Sequence, residues 1–361
     1  MEFLFEYGLF LAKTITFVAA IAIVIILVIS AGLKSHGQEK GHLEVKKLNE
    51  KFDDLMTSMQ QVVLEEEAFK EQEKERKKAE KKLKKELKHA LKSKKDSTKS
   101  TQDSLDKAFK KRIFVTDFVG DMKASQTDEL RQVITAILSV ATAEDEVVVR
   151  LESPGGMVHS YGLAASQLSR ITKNKVPLTV CVDKVAASGG YMMACVANKI
   201  VSAPFAIIGS IGVVAQIPNF HRLLKKHDVD YELLTAGEYK RTLTLFGENT
   251  EKGRKKFMDD LEDTHVLFKE FISQHRPVVD VSAVATGEIW FGTRALDKNL
   301  IDEVGTSDEY LFSRYKDFEL FEVSYVTKKS IPERMGLNMT LAIDRLLLNW
   351  WQRINNKIFS T

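Results

Sequence analysis

Two short runs bring together the residue types needed to attack a carbonyl. Ala186-Ala187-Ser188-Gly189-Gly190-Tyr191 follows the apolar stretch PLTVCVD and opens a helical pattern, and Glu152-Ser153-Pro154-Gly155-Gly156 follows EVVVRL. A serine at a helix start lies beside unpaired backbone N–H groups and the positive end of the helix dipole. Ser188 is thereby a candidate nucleophile, with the N–H groups of Gly189 and Gly155 as candidates to hold a developing oxyanion. Each run alone reads as readily as an ordinary helix cap or an ordinary turn.

A serine hydroxyl needs a base. Of the eight histidines, His159 follows the Gly-Gly turn and is the one nearest a candidate site. His221 and His227 lie in the basic run NFHRLLKKHD, and His265 and His275 fall on a long amphipathic helix, where solvated roles fit better. Lysine is the other choice. Its ordinary pKa of about 10.4 leaves it protonated at neutral pH, and bringing it to about 8 takes roughly 3 kcal/mol of destabilisation of the charged form, which an apolar site supplies. Lys240, in TAGEYKRTLTLFGEN between a strand pattern and an uncharged apolar run, ranks ahead of Lys184 and Lys199, which flank the serine run. Composition and position alone leave all three open.

The elements that must hold these residues alternate. RIFVTDFVG, EVVVRLES and PLTVCVD have strand patterns, DELRQVITAILSVA and YGLAASQLSRIT helical ones, and IVSAP, GSIGVVAQ and YELLTAG add candidate strands. A long amphipathic helix over 250–276 and a strand over 319–326 complete an α/β chain of parallel strands with crossover helices. In such a sheet, chemistry sits at the carboxyl ends of the strands, where both glycine-rich runs fall.

At the amino end, TITFVAAIAIVIILVISAGL (14–33) is 20 uncharged residues, long enough to cross a bilayer as a helix, and Glu2 and Glu6 ahead of it argue against a cleaved signal peptide. Five lysines between positions 34 and 51 follow the run and only Lys13 precedes it, so positive-inside counting places the rest of the chain in the cytoplasm. Residues 42–104, rich in Lys, Glu, Ala and Leu, read as a long solvated helix or stalk. Positions 70–95 hold 13 Lys or Arg and 5 Glu, so this segment carries a local charge of +8 while the 361-residue chain carries +3. Basicity confined to one segment argues against a nucleic-acid-reading domain. Two cysteines without paired His/Cys spacing give no sign of a disulfide framework or a metal site, and no cofactor is expected. At the carboxyl end, LAIDRLLLNWWQRINNKIF (341–359) has an amphipathic helical spacing suited to packing on a partner or lying on lipid. The expected division is an anchor over 1–36, a charged spacer over 37–111, a catalytic domain over 112–330 and a terminal helix over 331–361.

LESPGGMV, DKVAASGGYMMA, GSIGVV and TAGEYKR, in this order and spacing, resemble the signal peptide peptidase A family of serine proteases over most of the chain. The resemblance implies a crotonase/Clp-protease-like fold and a Ser/Lys dyad with Ser188 as nucleophile and Lys240 as base. It also implies Ser210 as the hydroxyl that orients the lysine, and the backbone N–H groups of Gly155 and Gly189 as oxyanion donors. The substrates it implies are signal peptides and unfolded or membrane-associated chains, cut by a homo-oligomer in the bacterial inner membrane. Its catalytic domain would be periplasmic, against the charge count. Three other readings remain: an acyl-CoA-handling enzyme, a Ser/His/Asp peptidase, and a non-catalytic membrane scaffold. The second lacks a histidine about 25 residues after Ser188.

Overall fold

The computed structural model describes residues 7–21, 41–65, 67–71, isolated positions between 74 and 85, and 111–327. The chain divides into two compact units, one of residues 43–325 and one of residues 1–42 with 326–361. In the latter, 7–21 are helical; the remainder of the apolar run, 22–33, and the carboxyl-terminal stretch lie outside the described residues. Among the described residues no helix is long and apolar enough to cross a membrane.

The larger unit is a mixed α/β fold with two sheets. In chain order its elements are β1 (His42–Lys47), α1 (Leu48–Val63), β2 (Arg112–Val119), α2 (Thr127–Leu138), β3 (Glu146–Glu152), α3 (Val158–Lys173), β4 (Leu178–Val182) and β5 (Val185–Ala187). There follow α4 (Gly189–Ala194), β6 (Lys199–Ser202), β7 (Ile207–Gly209), α5 (His221–Lys226), α6 (Glu251–His275), α7 (Val281–Val284), β8 (Ile289–Phe291), α8 (Gly292–Asp297), β9 (Glu303–Val304), α9 (Ser307–Phe312) and β10 (Glu319–Val326). The larger sheet runs β1-β10-β2-β3-β4-β6-β9, with parallel pairing from β10 through β9. Its central strands are apolar on both faces: Val147, Val148 and Val149 of β3 and every residue of β4 are buried, as a parallel sheet covered on both sides requires. One face packs on α2 and α3 through Ile134, Ile137, Leu168 and Ile171, the other on Tyr310, Leu311 and Tyr315. The smaller sheet, β5-β7-β8, joins β5 and β7 in parallel and β7 and β8 antiparallel.

Two expectations need correction. The stretch from His42 does not begin as helix: His42–Lys47 is a strand at the edge of the larger sheet, and only then does α1 begin. Leu48 is buried in the second core cluster with Phe52 and Met56 packed against it. The Asn49 side-chain amide donates to the carbonyls of Tyr315 (2.7 Å) and Phe318 (2.9 Å) and accepts from the Leu320 N–H (2.8 Å). The first part of the expected spacer thus belongs to the larger unit. Secondly, YELLTAG forms no strand; Tyr231, Leu233 and Leu234 are exposed, and the segment pairs with no sheet edge that would hold it extended. Of GSIGVVAQ, only Gly209 is in a strand.

Candidate active site

Three parallel segments end side by side. Ser153 bridges to Ala186, its N–H donating to the Val185 carbonyl (2.8 Å) and its carbonyl accepting from the Ala187 N–H (3.0 Å). On the other side of β5, Ala187 lies in register with Gly209 of β7. The residues that follow these strand ends, Gly155, Ser188 and Ser210, are therefore brought to one edge by the ladder itself.

Ser188 occupies the turn between β5 and α4 with φ 52° and ψ −119°, a conformation costing a non-glycine residue about 1–3 kcal/mol. The turn is held on both sides: the Ser188 N–H donates to the Gly209 carbonyl (2.8 Å), and the Ser188 carbonyl accepts from the Met192 N–H (3.0 Å). Ser188 is half-buried at this sharp strand-to-helix turn, whereas every residue of α4 is buried. Ser210 has the same unusual sign of φ, 51°, with its N–H donating to the Glu288 carbonyl (2.7 Å).

Gly155, at φ +90°, comes so close to this turn that a Cβ placed on it would lie 2.7 Å from the Gly189 nitrogen and 2.8 Å from the Ser188 Cβ. No side chain fits there. The Gly155 N–H is itself occupied, donating to the Ser153 hydroxyl oxygen at 3.1 Å. Among the described residues, the N–H groups of Gly156 and Gly189 have no protein acceptor.

Lys240 is not buried. It lies in an irregular stretch between α5 and α6, its N–H donating to the Gly237 carbonyl (3.1 Å), and no hydrogen bond joins it to Ser188 or Ser210 among the described residues. The apolar environment expected for it is absent from the isolated chain because residues 213–240 run over the surface, with Val214 80% and Leu234 89% exposed. The stretch has some order of its own: Phe246 packs between Phe220 and Tyr231, and the Phe220 N–H donates to the Leu245 carbonyl (2.7 Å). The competing lysines are both engaged, Lys184 with Glu152 (2.9 Å) and Lys199 with Glu303 (2.5 Å). His159 is exposed. His275 is partly buried, its ring tilted against Phe271 with the centroids 4.2 Å apart, and the His265 Nε2 is buried without a hydrogen-bond partner among the described residues, so these two are less solvated than their helix pattern implied. The two thiols lie in the core, where burial pushes Cys181 up to about 12 and raises Cys195 as well, which removes both as nucleophiles.

The site thus consists of a strained serine turn with a glycine pressed against it, fed by parallel strands. The family described as Peptidase family S49 matches residues 170–319, and its N-terminal module matches residues 2–168. The chain belongs to peptidase family S49, and its activity is that of a peptidase. It is 52% identical to the "Probable protease SohB" of Haemophilus influenzae over 93% of this chain and 92% of that one. It is 57% identical to a "Probable protease SohB" of Buchnera aphidicola (subspecies Acyrthosiphon pisum) over 66% of this chain and 71% of the other. A solved membrane-bound stomatin-specific protease, in complex with a substrate peptide, aligns with a TM-score of 0.39 at 15% identity, covering 64% of this chain and 98% of that one.

Proposed function

We propose that the chain is a membrane-anchored serine endopeptidase on a crotonase/Clp-like scaffold, with Ser188 as nucleophile and Lys240 as general base. The observation that carries this reading is the Ser188 turn, held in a costly conformation between Gly155 and Ser210. Strain of this kind persists where the surroundings over-determine it, and here two hydrogen bonds and a side-chain-free glycine do so.

In the first step the Ser188 hydroxyl attacks the scissile carbonyl while its proton passes to neutral Lys240; the ammonium formed then protonates the leaving amine. Water, deprotonated by the same lysine, opens the acyl-enzyme. Ser210, one strand over, hydrogen-bonds the lysine and fixes its direction. The oxyanion receives the Gly189 N–H and an amide of the Gly155–Gly156 turn. Among the described residues the Gly156 N–H is the unoccupied one, and Gly155 supplies the close approach.

Lys240 reaches Ser188 when the surface stretch 213–250 is packed, and its exposed Val214, Leu234 and Tyr239 are the surface a second copy would cover. The working form is accordingly a homo-oligomer. The 14–33 run anchors it in the inner membrane, with the catalytic body on the periplasmic side and signal peptides or other unfolded chains as substrates. The full chain, purified in detergent, should hydrolyse an unfolded protein and a short apolar peptide, and Ser188→Ala and Lys240→Ala should each reduce this to background. Undiminished turnover by Lys240→Ala would remove the base assignment, and turnover by Ser188→Ala the whole mechanism.

A further inference from the structure

Behind the Gly155 turn stands a buried tyrosine that no part of the dyad mechanism uses. Tyr161, in the first turn of α3, and Ser153 are both fully buried. The Tyr161 hydroxyl lies 2.6 Å from the Ser153 hydroxyl and 2.8 Å from the Asp121 carbonyl oxygen. Proton counting fixes the direction of these bonds. A carbonyl only accepts, so the single phenolic proton goes to Asp121; the Ser153 proton must then go to the Tyr161 oxygen, and the Ser153 oxygen is left to accept the Gly155 N–H. The result is a one-way chain, Gly155 N–H to Ser153 O–H to Tyr161 O–H to Asp121 C=O, in which each donor strengthens the next. Burial raises the Tyr161 pKa, so the phenol keeps its proton.

The same side chain touches the other half of the site. A Cβ on Gly189 would lie 2.4 Å from Tyr161 Cγ, so the ring sits flush against the residue that follows the nucleophile. Gly120 closes the back: a Cβ there would meet the Ser153 and Tyr161 hydroxyl oxygens, each at 2.3 Å.

We propose that Tyr161, acting through Ser153, is a positioning residue for the oxyanion site. Its hydroxyl turns the Gly155 amide inward, so that the next amide along is the one left for substrate, and its ring fixes the height of Gly189. This rests on the peptidase reading above. Transition-state charge is stabilised only by donors already in place, and a misplacement of about 1 Å costs roughly 100-fold in rate, so the loss should fall on kcat and spare substrate binding.

The test compares Tyr161→Phe, Ser153→Ala and their combination with wild type in the full detergent-solubilised chain, well below the midpoint of thermal unfolding. Tyr161→Phe keeps the ring against Gly189 and removes only the proton link. Expected are a fall in kcat of about 10–100-fold with KM unchanged, an equal slowing of Ser188 labelling by a fluorophosphonate, and a double variant no worse than the poorer single one, since both break one chain. Wild-type kcat in Tyr161→Phe, a loss confined to KM, or losses that add in the double variant overturn the proposal. Should Tyr161→Phe fail to fold, Ser153→Ala decides by the same kcat, KM and labelling criteria. Ser188→Ala run alongside separates the two levels: turnover that survives it removes the peptidase mechanism, whereas Ser188-dependent turnover indifferent to Tyr161→Phe removes only the positioning role.

Discussion

Ser188 and Ser210 stand one strand apart, each directly after its strand, with φ angles of 52° and 51° and the Ser188 N–H bonded to the carbonyl of Gly209. In the proposed mechanism the Lys240 amine bridges these two serines, whose backbones both adopt conformations that side chains avoid. This relationship motivates the first prediction: Ser210→Ala should lower kcat about 10–100-fold with little change in KM or thermal midpoint, because the lysine would lose its direction while the nucleophile stays. Wild-type kcat in that variant would exclude the bridging role.

Gly155→Ala should be nearly inactive. The added Cβ collides with the Gly189 nitrogen and the Ser188 Cβ at under 3 Å and also imposes strain at φ +90°, so the turn must open. We expect kcat/KM to fall by at least about 100-fold, with a stability loss of about 1–3 kcal/mol in denaturant titration. An active, undistorted variant would show that the close approach is dispensable.

Leu234→Asp and Val214→Asp test the oligomer. Both side chains are almost wholly exposed in the isolated chain, so neither should alter the fold of one subunit. Each should reduce the assembled mass measured by light scattering and reduce turnover in parallel. Full assembly in both variants would place the subunit contact elsewhere.

Asp145 sets an acid limit on stability. Burial by itself would raise its pKa, yet the Arg112 guanidinium and the Thr142 backbone and hydroxyl donors outweigh that and hold it below the usual carboxylate range. A lowered folded-state pKa means stability that is complete above the unfolded value, near 4, and lost as pH falls through the folded one. Asp145→Asn should cost about 2 kcal/mol at neutral pH and flatten the decline below pH 4 in denaturant titrations. A decline as steep as wild type would assign the acid sensitivity to other groups.

The strands flanking the site were readable because their residues are apolar on both faces: EVVVRL and PLTVCV admit little else, and β10 falls at 319–326, the span its pattern indicates. The position of Ser188 at a helix start was legible for the same reason, since a strand, a Ser-Gly-Gly and an apolar helix leave one place for the turn. What sequence could not convey was distance. Gly155 against Ser188 depends on the pairing of three segments remote in the chain, and Tyr161 is an ordinary helix residue until Ser153 and Asp121 are seen around it. β1 was hidden because an edge strand needs no apolar alternation: HLEVKK is charged, and its place is secured by Leu48 and Asn49 just beyond it. Lys240 is exposed in a stretch that joins neither sheet, which local pattern does not register.

The edge strand also changes what the charged segment is. α1 ends at Val63 and β2 begins at Arg112, and both are built into the same body, with β10 lying between β1 and β2 in the sheet. The segment between them therefore joins two parts of one body. A single cut within it would not release the peptidase from whatever holds its amino end. Two polypeptides would remain, locked together by a shared sheet.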